Sequence, residues 1–93
     1  MYIITIDGRE EEGAYSVLNE EGEQVLYMFE EEDDAIRFAM MLEDKEEYPQ
    51  MNATEVDDKL LIMACDQHGY KYAVFTPNDI VIPPDESDQD DFI

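Results

Sequence analysis

The apolar positions of this chain change from a strand pattern to a helix pattern between Val25 and Ala39. Residues 24–29 are a short apolar run of strand-forming side chains, and the acidic residues 30–34 follow directly. After them the apolar positions recur at i, i+3, i+4 and i+7, which is one face of a helix. This face consists of Ala35, Phe38, Ala39 and Leu42, widened by Ile36, Met40 and Met41. The pattern predicts a strand followed by an amphipathic helix over residues 32–45 that lies firmly on a sheet.

Other strands are predicted on both sides of this unit. Residues 1–7 and 14–18 contain β-branched and aromatic side chains and are followed by turn residues. The short turn at 19–22 predicts a hairpin between the second strand and the third. Residues 51–56 and 70–75 are predicted as the fourth and fifth strands.

A second helix is predicted between the fourth strand and the fifth. Asp57 has the side chain of a helix N-cap, and Gly69 stands where a left-handed C-cap is expected. One side of this helix is predicted to carry Leu60, Leu61, Ala64, Cys65 and His68.

The resulting order, β-β-β-α-β-α-β, predicts a single small α+β domain near the ferredoxin-like class. It would have one mixed sheet and two helices, largely on one face of the sheet. The continuous apolar character of residues 1–7 predicts a central strand. The domain is expected to span residues 1–84, and the acidic residues 85–93 after Pro83 and Pro84 are expected to form a mobile C-terminal tail.

The charge of the chain restricts its partners. Its 93 residues include 26 Asp and Glu against 5 Lys and Arg, which gives a net charge of −21. Affinity for nucleic-acid phosphates and for anionic lipid comes from Lys and Arg, so direct contact with either is not expected. A charged partner is instead expected to be a protein with a basic surface patch. The pattern leaves the oligomeric state open.

The expected location is the cytoplasm. Cys65 is the one cysteine of the sequence, so the domain has no internal disulfide and suits a reducing compartment. The first residues have no basic segment, and no apolar run approaches the roughly 20 residues that span a bilayer. Neither secretion nor membrane insertion is indicated.

Candidate chemistry is sparse. Cys65 and His68 stand three positions apart on the second predicted helix, but zinc requires four ligands and the chain offers one Cys and one His. A small buried cysteine and a histidine near a helix C-terminus are the simpler interpretation. The acidic runs lack the spacing and central glycine of an EF-hand, and no phosphate loop or nucleophile motif is present. We therefore expect no metal site, no cofactor and no enzymatic activity.

Several motifs resemble a known family. They are Glu12 to Val17, the Met-Phe-Glu-x-Glu-Asp-Asp-Ala core within Val25 to Ala39, Leu42-Glu43, and Cys65-x-x-x-Gly69-Tyr70. From about Glu12 to Pro84 the chain is similar to a small domain of unknown function found in cyanobacteria, plastids and the phages that infect cyanobacteria. The relatives tend to have an aliphatic residue and a histidine where this chain has Ala14 and Tyr15. The resemblance implies lineage, and it supplies no activity and no catalytic residue.

Two functions are consistent with the sequence. In the first, the domain is a non-catalytic adaptor or inhibitor that docks on a basic protein surface, and the resemblance adds that a phage could encode it to act on a host protein. In the second, it is a nucleic-acid mimic that occupies the DNA or RNA site of a host enzyme. The two are distinguished by the identity of the partner.

The candidate binding residues lie in two places. The acidic entry to the first helix contains Glu30, Glu31, Glu32, Asp33 and Asp34. The C-terminal tip contains Phe92 and Ile93, which follow Asp90 and Asp91 and could recruit a partner. The alternative for the tip is a purely solubilising tail.

Overall fold

Six strands and two helices occupy the part of the chain that the computed structural model describes, which is residues 1–9, 13–44 and 49–79 and the backbone of 90–92. In chain order they are β1 (Tyr2–Ile6), β2 (Tyr15–Leu18), β3 (Gln24–Phe29), α1 (Glu32–Glu43), β4 (Met51–Glu55), α2 (Asp58–His68), β5 (Lys71–Phe75) and β6 (Asp90–Phe92). The α+β class and the order β-β-β-α-β-α-β are confirmed, and β6 is an additional strand.

The strands form one mixed sheet. Its order is β4-β1-β3-β2-β6, and β5 pairs with β3. The β3–β5 pair is parallel, and the other strand pairs are antiparallel. The predicted hairpin between β2 and β3 is present, with Val17 opposite Val25. The central position of β1, between β4 and β3, is also confirmed.

Helix α1 covers one face of the sheet. The four residues of its predicted stripe are all buried: Ala35, Phe38, Ala39 and Leu42. They pack on Ile4, Tyr15, Phe29 and Met51 to form the larger core cluster. The widening of the stripe is only partly correct, because Ile36 is 42% exposed and Met40 is 60% exposed. The buried stripe is therefore narrow, and part of the apolar surface of α1 faces solvent.

Helix α2 begins and ends as the sequence predicts. The Asp57 side chain accepts hydrogen bonds from the backbone N–H groups of Lys59 and Leu60, and Gly69 closes the helix with a φ of 73°. Such a left-handed C-cap favours glycine, because a side chain there is strained. The buried side of α2 is narrower than predicted: Leu61 and Cys65 are buried, whereas Leu60, Ala64 and His68 are exposed.

The two helices lie on opposite faces of the sheet, so the expectation that they share one face is wrong. Ile4 packs in the cluster under α1, whereas its neighbour Ile3 packs with Leu61 and Cys65 of α2. The connections β3-α1-β4 and β4-α2-β5 each join parallel strands, and they cross the sheet in opposite directions. Because such crossovers are right-handed in nearly all proteins, opposite directions require opposite faces.

Part of the C-terminal segment is a strand. The backbone of Asp90–Phe92 pairs with β2, placing Phe92 opposite Tyr15. A mobile tail over residues 85–93 stays a prediction. A short segment with unsatisfied backbone groups can add to an open sheet edge whatever its charge, because the ladder is made of main-chain bonds. The residues between Asp79 and Asp90 lie outside the described part of the chain.

Candidate functional site

Both helices begin at the same end of the sheet. The register places Tyr2, the first residue of β1, opposite Phe29 at the end of β3 and opposite Glu55 at the end of β4. Phe29 in turn lies beside Phe75, the last residue of β5. The segments that leave β3, β4 and β5 therefore start from one end of the domain, and two of them enter α1 and α2.

This end of the domain carries a concentration of carboxylates, which we call the acidic end. It consists of Glu30, Glu31, Glu32, Asp33, Asp34, Glu55, Asp57, Asp58 and Asp79. The set includes all five acidic residues predicted as a binding site at the entry to α1. The end of β4 and the start of α2 were not predicted to lie near these five residues, and the parallel crossovers bring the segments together.

The Tyr2 hydroxyl shows how close these carboxylates are. It donates a hydrogen bond to an oxygen of Glu55 at 3.5 Å, which is a long contact. Partial burial, the negative charges of Glu55, Glu32 and Glu31, and the hydrogen bond to Glu55 all raise the pKa of this hydroxyl above its ordinary value. Acidic side chains of α1 and β4 thus act on the same point of the surface.

Some carboxylates of the acidic end have partners within the domain. Asp57 caps α2, and Asp58 pairs with the N-terminal amino group of Met1 at 2.8 Å. Asp34 pairs with Arg37 at 3.1 Å, and Asp79 accepts hydrogen bonds from Thr76. These groups have structural roles in closing turns and helix starts.

The remaining carboxylates at the entry to α1 are exposed and unpaired. Glu30, Glu31, Glu32 and Asp33 make no side-chain hydrogen bond or ion pair with any residue that the structure describes, and Glu31 does not cap the helix although it occupies the N-cap position. Their negative charge is favoured by the helix dipole. The start of α1 therefore gathers these four carboxylates at one place on the surface, and their oxygens stay available to a partner.

The family of the chain follows from a family model that matches residues 1–85, and that model describes a domain of unknown function, DUF3110. The chain belongs to this family. A comparison with curated proteins and one with solved structures return no match. The resemblance to an uncharacterised family is confirmed, and any assignment of function rests on the residues of this DUF3110 domain themselves.

Apart from the acidic end, the DUF3110 domain has a pocket beside α2. It is an apolar pocket of about 300 Å³ whose lining includes Ile3, Leu26, Leu61, Cys65 and His68. Cys65 is only 2% exposed, and burial, helped by the charge of Asp66, raises the pKa of its thiol. His68 stacks on Tyr70 with ring centroids 5.5 Å apart. Since the thiolate is the reactive form, the structure favours a structural cysteine.

We expect Cys65 to react slowly in the folded protein. The raised pKa leaves little thiolate at neutral pH, and the sulfur is covered, so labelling by a disulfide reagent should be about ten-fold slower or more than for an exposed thiol. The matched control is a Cys65→Ala, Met63→Cys double variant, because Met63 is 54% exposed on the same helix. Equal labelling rates for the unmodified domain and the folded double variant would show instead that the pocket presents a reactive thiol.

Across the described ranges, no group of three or more His, Cys, Asp and Glu side chains could hold a metal ion. Neither α1 nor α2, the helices of the described chain, is long and apolar enough to cross a bilayer.

The C-terminal tip is only partly described. The backbone of Phe92 belongs to β6, and Ile93 lies outside the described residues. Recognition of these two side chains by a partner stays a prediction. Because β6 pairs with β2, a truncation of residues 85–93 would also remove a strand, and its effect on binding could not be attributed to the tip alone.

Proposed function

We propose that this DUF3110 domain is a non-catalytic protein-binding module, an adaptor or inhibitor, that docks its acidic end on a basic surface of another protein. The observation that carries the proposal is the set of exposed carboxylates of Glu30, Glu31, Glu32 and Asp33 at the start of α1, which have no side-chain partner among the described residues. A cluster of charges of one sign attracts a surface of the opposite sign, accelerates association and orients the encounter.

The surrounding charge supports the same partner class. Two cations near the acidic end, the Met1 amino group and Arg37, are paired with Asp58 and Asp34, and Lys59 lies beside Asp58 at the start of α2. These three cations stand against nine carboxylates. A net charge of −21 repels nucleic acid and anionic lipid over the whole molecule. Steered association with a basic protein is the binding mode that such a charge distribution favours.

The test compares two variants with the same loss of charge. One replaces the acidic entry (Glu30→Gln, Glu31→Gln, Asp33→Asn), and the control replaces exposed acids elsewhere (Glu20→Gln, Glu21→Gln, Asp66→Asn). Each protein is immobilised and exposed to a cyanobacterial lysate, the source that the resemblance suggests, and captured proteins are identified by mass spectrometry. Association rates are then measured with the purified partner.

We expect a captured protein with a basic patch whose association is slowed about ten-fold or more by the entry variant and little by the control. Raising the ionic strength from about 0.01 M to about 0.1 M, which shortens the Debye length from about 30 Å to about 10 Å, should also slow it. Equal association rates for the two variants, or capture of acidic and neutral proteins alone, would contradict the proposal.

The alternative function, a nucleic-acid mimic, gives a different result in the same experiment. A mimic occupies the DNA or RNA site of its partner, so added duplex DNA or RNA should displace the domain from that partner. An adaptor that docks elsewhere on the partner should remain bound. Displacement of the domain from a nucleic-acid enzyme would therefore favour the mimic.

A further inference from the structure

β4 lies at an edge of the sheet, since β1 is its one partner among the described strands. Two hydrogen bonds show which residues of β4 bond to β1. The Val56 N–H donates to the Met1 carbonyl and the Asp7 N–H donates to the Gln50 carbonyl, both at 2.9 Å. In an antiparallel ladder, hydrogen-bonded and non-hydrogen-bonded residue pairs alternate. The residues of β4 that turn their backbone groups away from β1 are therefore Met51, Ala53 and Glu55.

Part of this edge is covered, and part of it is open. The Glu43 carboxylate of α1 accepts a hydrogen bond from the Met51 N–H at 3.2 Å. Within the described chain, nothing bonds to the outward N–H and C=O groups of Ala53 and Glu55. Unpaired backbone groups on an edge strand are a template for a further strand. The edge thus offers pairing sites at Ala53 and Glu55.

An apolar surface of α1 stands beside this open edge. Ile36 and Met40, which are 42% and 60% exposed, line a groove of about 560 Å³ between α1 and β4. Met51 and Ala53 direct their side chains to the same side of the sheet, where they pack in the α1 cluster. A strand added in register would place every second side chain on this side, against Ile36 and Met40.

The charge of the groove selects the occupant. Glu43 lies at one end of the groove and Glu55 at the other, both exposed, and no Lys or Arg is among the described residues that line it. Glu32 precedes Ile36 by one helical turn and adds a further exposed carboxylate. A segment with Lys or Arg at its ends complements this rim. A second copy of the chain would bring another charge of −21 to the contact.

We propose that the groove between α1 and β4 binds an extended basic segment of a partner protein as an added strand of the sheet. The backbone of this segment pairs with Ala53 and Glu55, and its alternate apolar side chains pack on Ile36 and Met40. Lys or Arg residues flanking them meet Glu43 and Glu55. The choice of a basic partner rests on the proposed function, and the groove specifies which kind of segment it supplies.

A displayed library of random peptides of about nine residues, the upper range of strand lengths, serves as the probe. Selection on the immobilised domain should enrich peptides in which apolar and other residues alternate between flanking Lys or Arg. On binding a selected peptide, the amide hydrogens of Ala53 and Glu55 should become protected from exchange. Failure to enrich such peptides, or binding without this protection, would overturn the proposal.

Charge-adding variants separate groove binding from general electrostatic attraction. Ile36→Glu and Met40→Glu each add a negative charge, so a merely electrostatic complex would become tighter. Binding in the groove should instead weaken about ten-fold or more, because an apolar contact is lost at its centre. Met63→Glu is the matched control, since Met63 is an exposed methionine on α2. The affinity of this variant for the selected peptide should not fall. An unchanged or tighter complex with Met40→Glu would reject the groove.

The remaining outcomes distinguish this inference from the proposed function. Peptides that bind Met40→Glu normally but lose affinity for the acidic-entry variant would reject the groove and leave the proposed function standing. Enriched peptides that alternate but lack Lys and Arg would reject a basic occupant. Sedimentation of the peptide-free protein as a dimer, with Ala53 and Glu55 already protected, would assign the edge to a second copy of the chain.

Discussion

Replacing Phe38 with alanine is expected to destabilise the domain by about 3–5 kcal/mol, the usual cost of deleting a buried phenylalanine. Phe38 is 1% exposed, and its ring lies 5.4 Å from that of Tyr15, 5.6 Å from Tyr27 and 5.5 Å from Phe29, centroid to centroid. One substitution therefore removes contacts to two strands of the sheet. Since small domains have a total stability of about 5–15 kcal/mol, the loss could approach complete unfolding.

Urea denaturation followed by circular dichroism measures this effect, with Met40→Ala as the control on the same helix. Met40 is 60% exposed, so its truncation should change the free energy of unfolding by about 0.5 kcal/mol or less. Similar unfolding midpoints for the two variants would mean that α1 does not bury the face that contains Phe38.

Most of the fold could be predicted from the sequence because its elements are locally encoded. The buried stripe of α1, the Asp57 cap and the Gly69 cap depend on spacing and on single residue types, and all three are found. The sides of the sheet on which the helices lie depend on strand order, which no local pattern reveals. The signal available in the sequence was the pair of consecutive apolar residues Ile3 and Ile4, because a strand covered on both faces is apolar throughout, and both side chains are buried in the structure.

The candidate site was predictable to a similar degree. The acidic run at the entry to α1 is visible in the sequence, and the structure shows that Glu30 to Asp33 are exposed. The groove beside β4 was not predictable, because Ile36 and Met40 extend an apolar stripe that implies burial. Their exposure arises because β4 is the edge strand and no further strand is present, among the described residues, to cover them. Edge position is a property of the whole sheet.

On the face of the sheet that α2 covers, Leu61→Ala is expected to lower the free energy of unfolding by about 2–5 kcal/mol. Leu61 is 8% exposed and belongs to the smaller core cluster with Ile3, Leu26 and Met28. The neighbouring Leu60 is 63% exposed, so Leu60→Ala is a control of identical chemistry that should be nearly neutral. Equal losses for the two leucines, measured by urea denaturation, would contradict the observed orientation of α2.

Combining substitutions tests whether the two faces are independent. Phe38→Leu is mild enough to combine with Leu61→Ala, and the sheet separates the two side chains because each belongs to a different core cluster. Their effects on the free energy of unfolding should therefore add to within about 0.5 kcal/mol. The rings of Phe38 on α1 and Phe29 on β3 are neighbours, so Phe38→Leu and Phe29→Leu should instead show a coupling of about 0.5 kcal/mol or more. A coupling between Phe38 and Leu61 as large as that between Phe38 and Phe29 would place both helices against one continuous core, contrary to the two-sided arrangement.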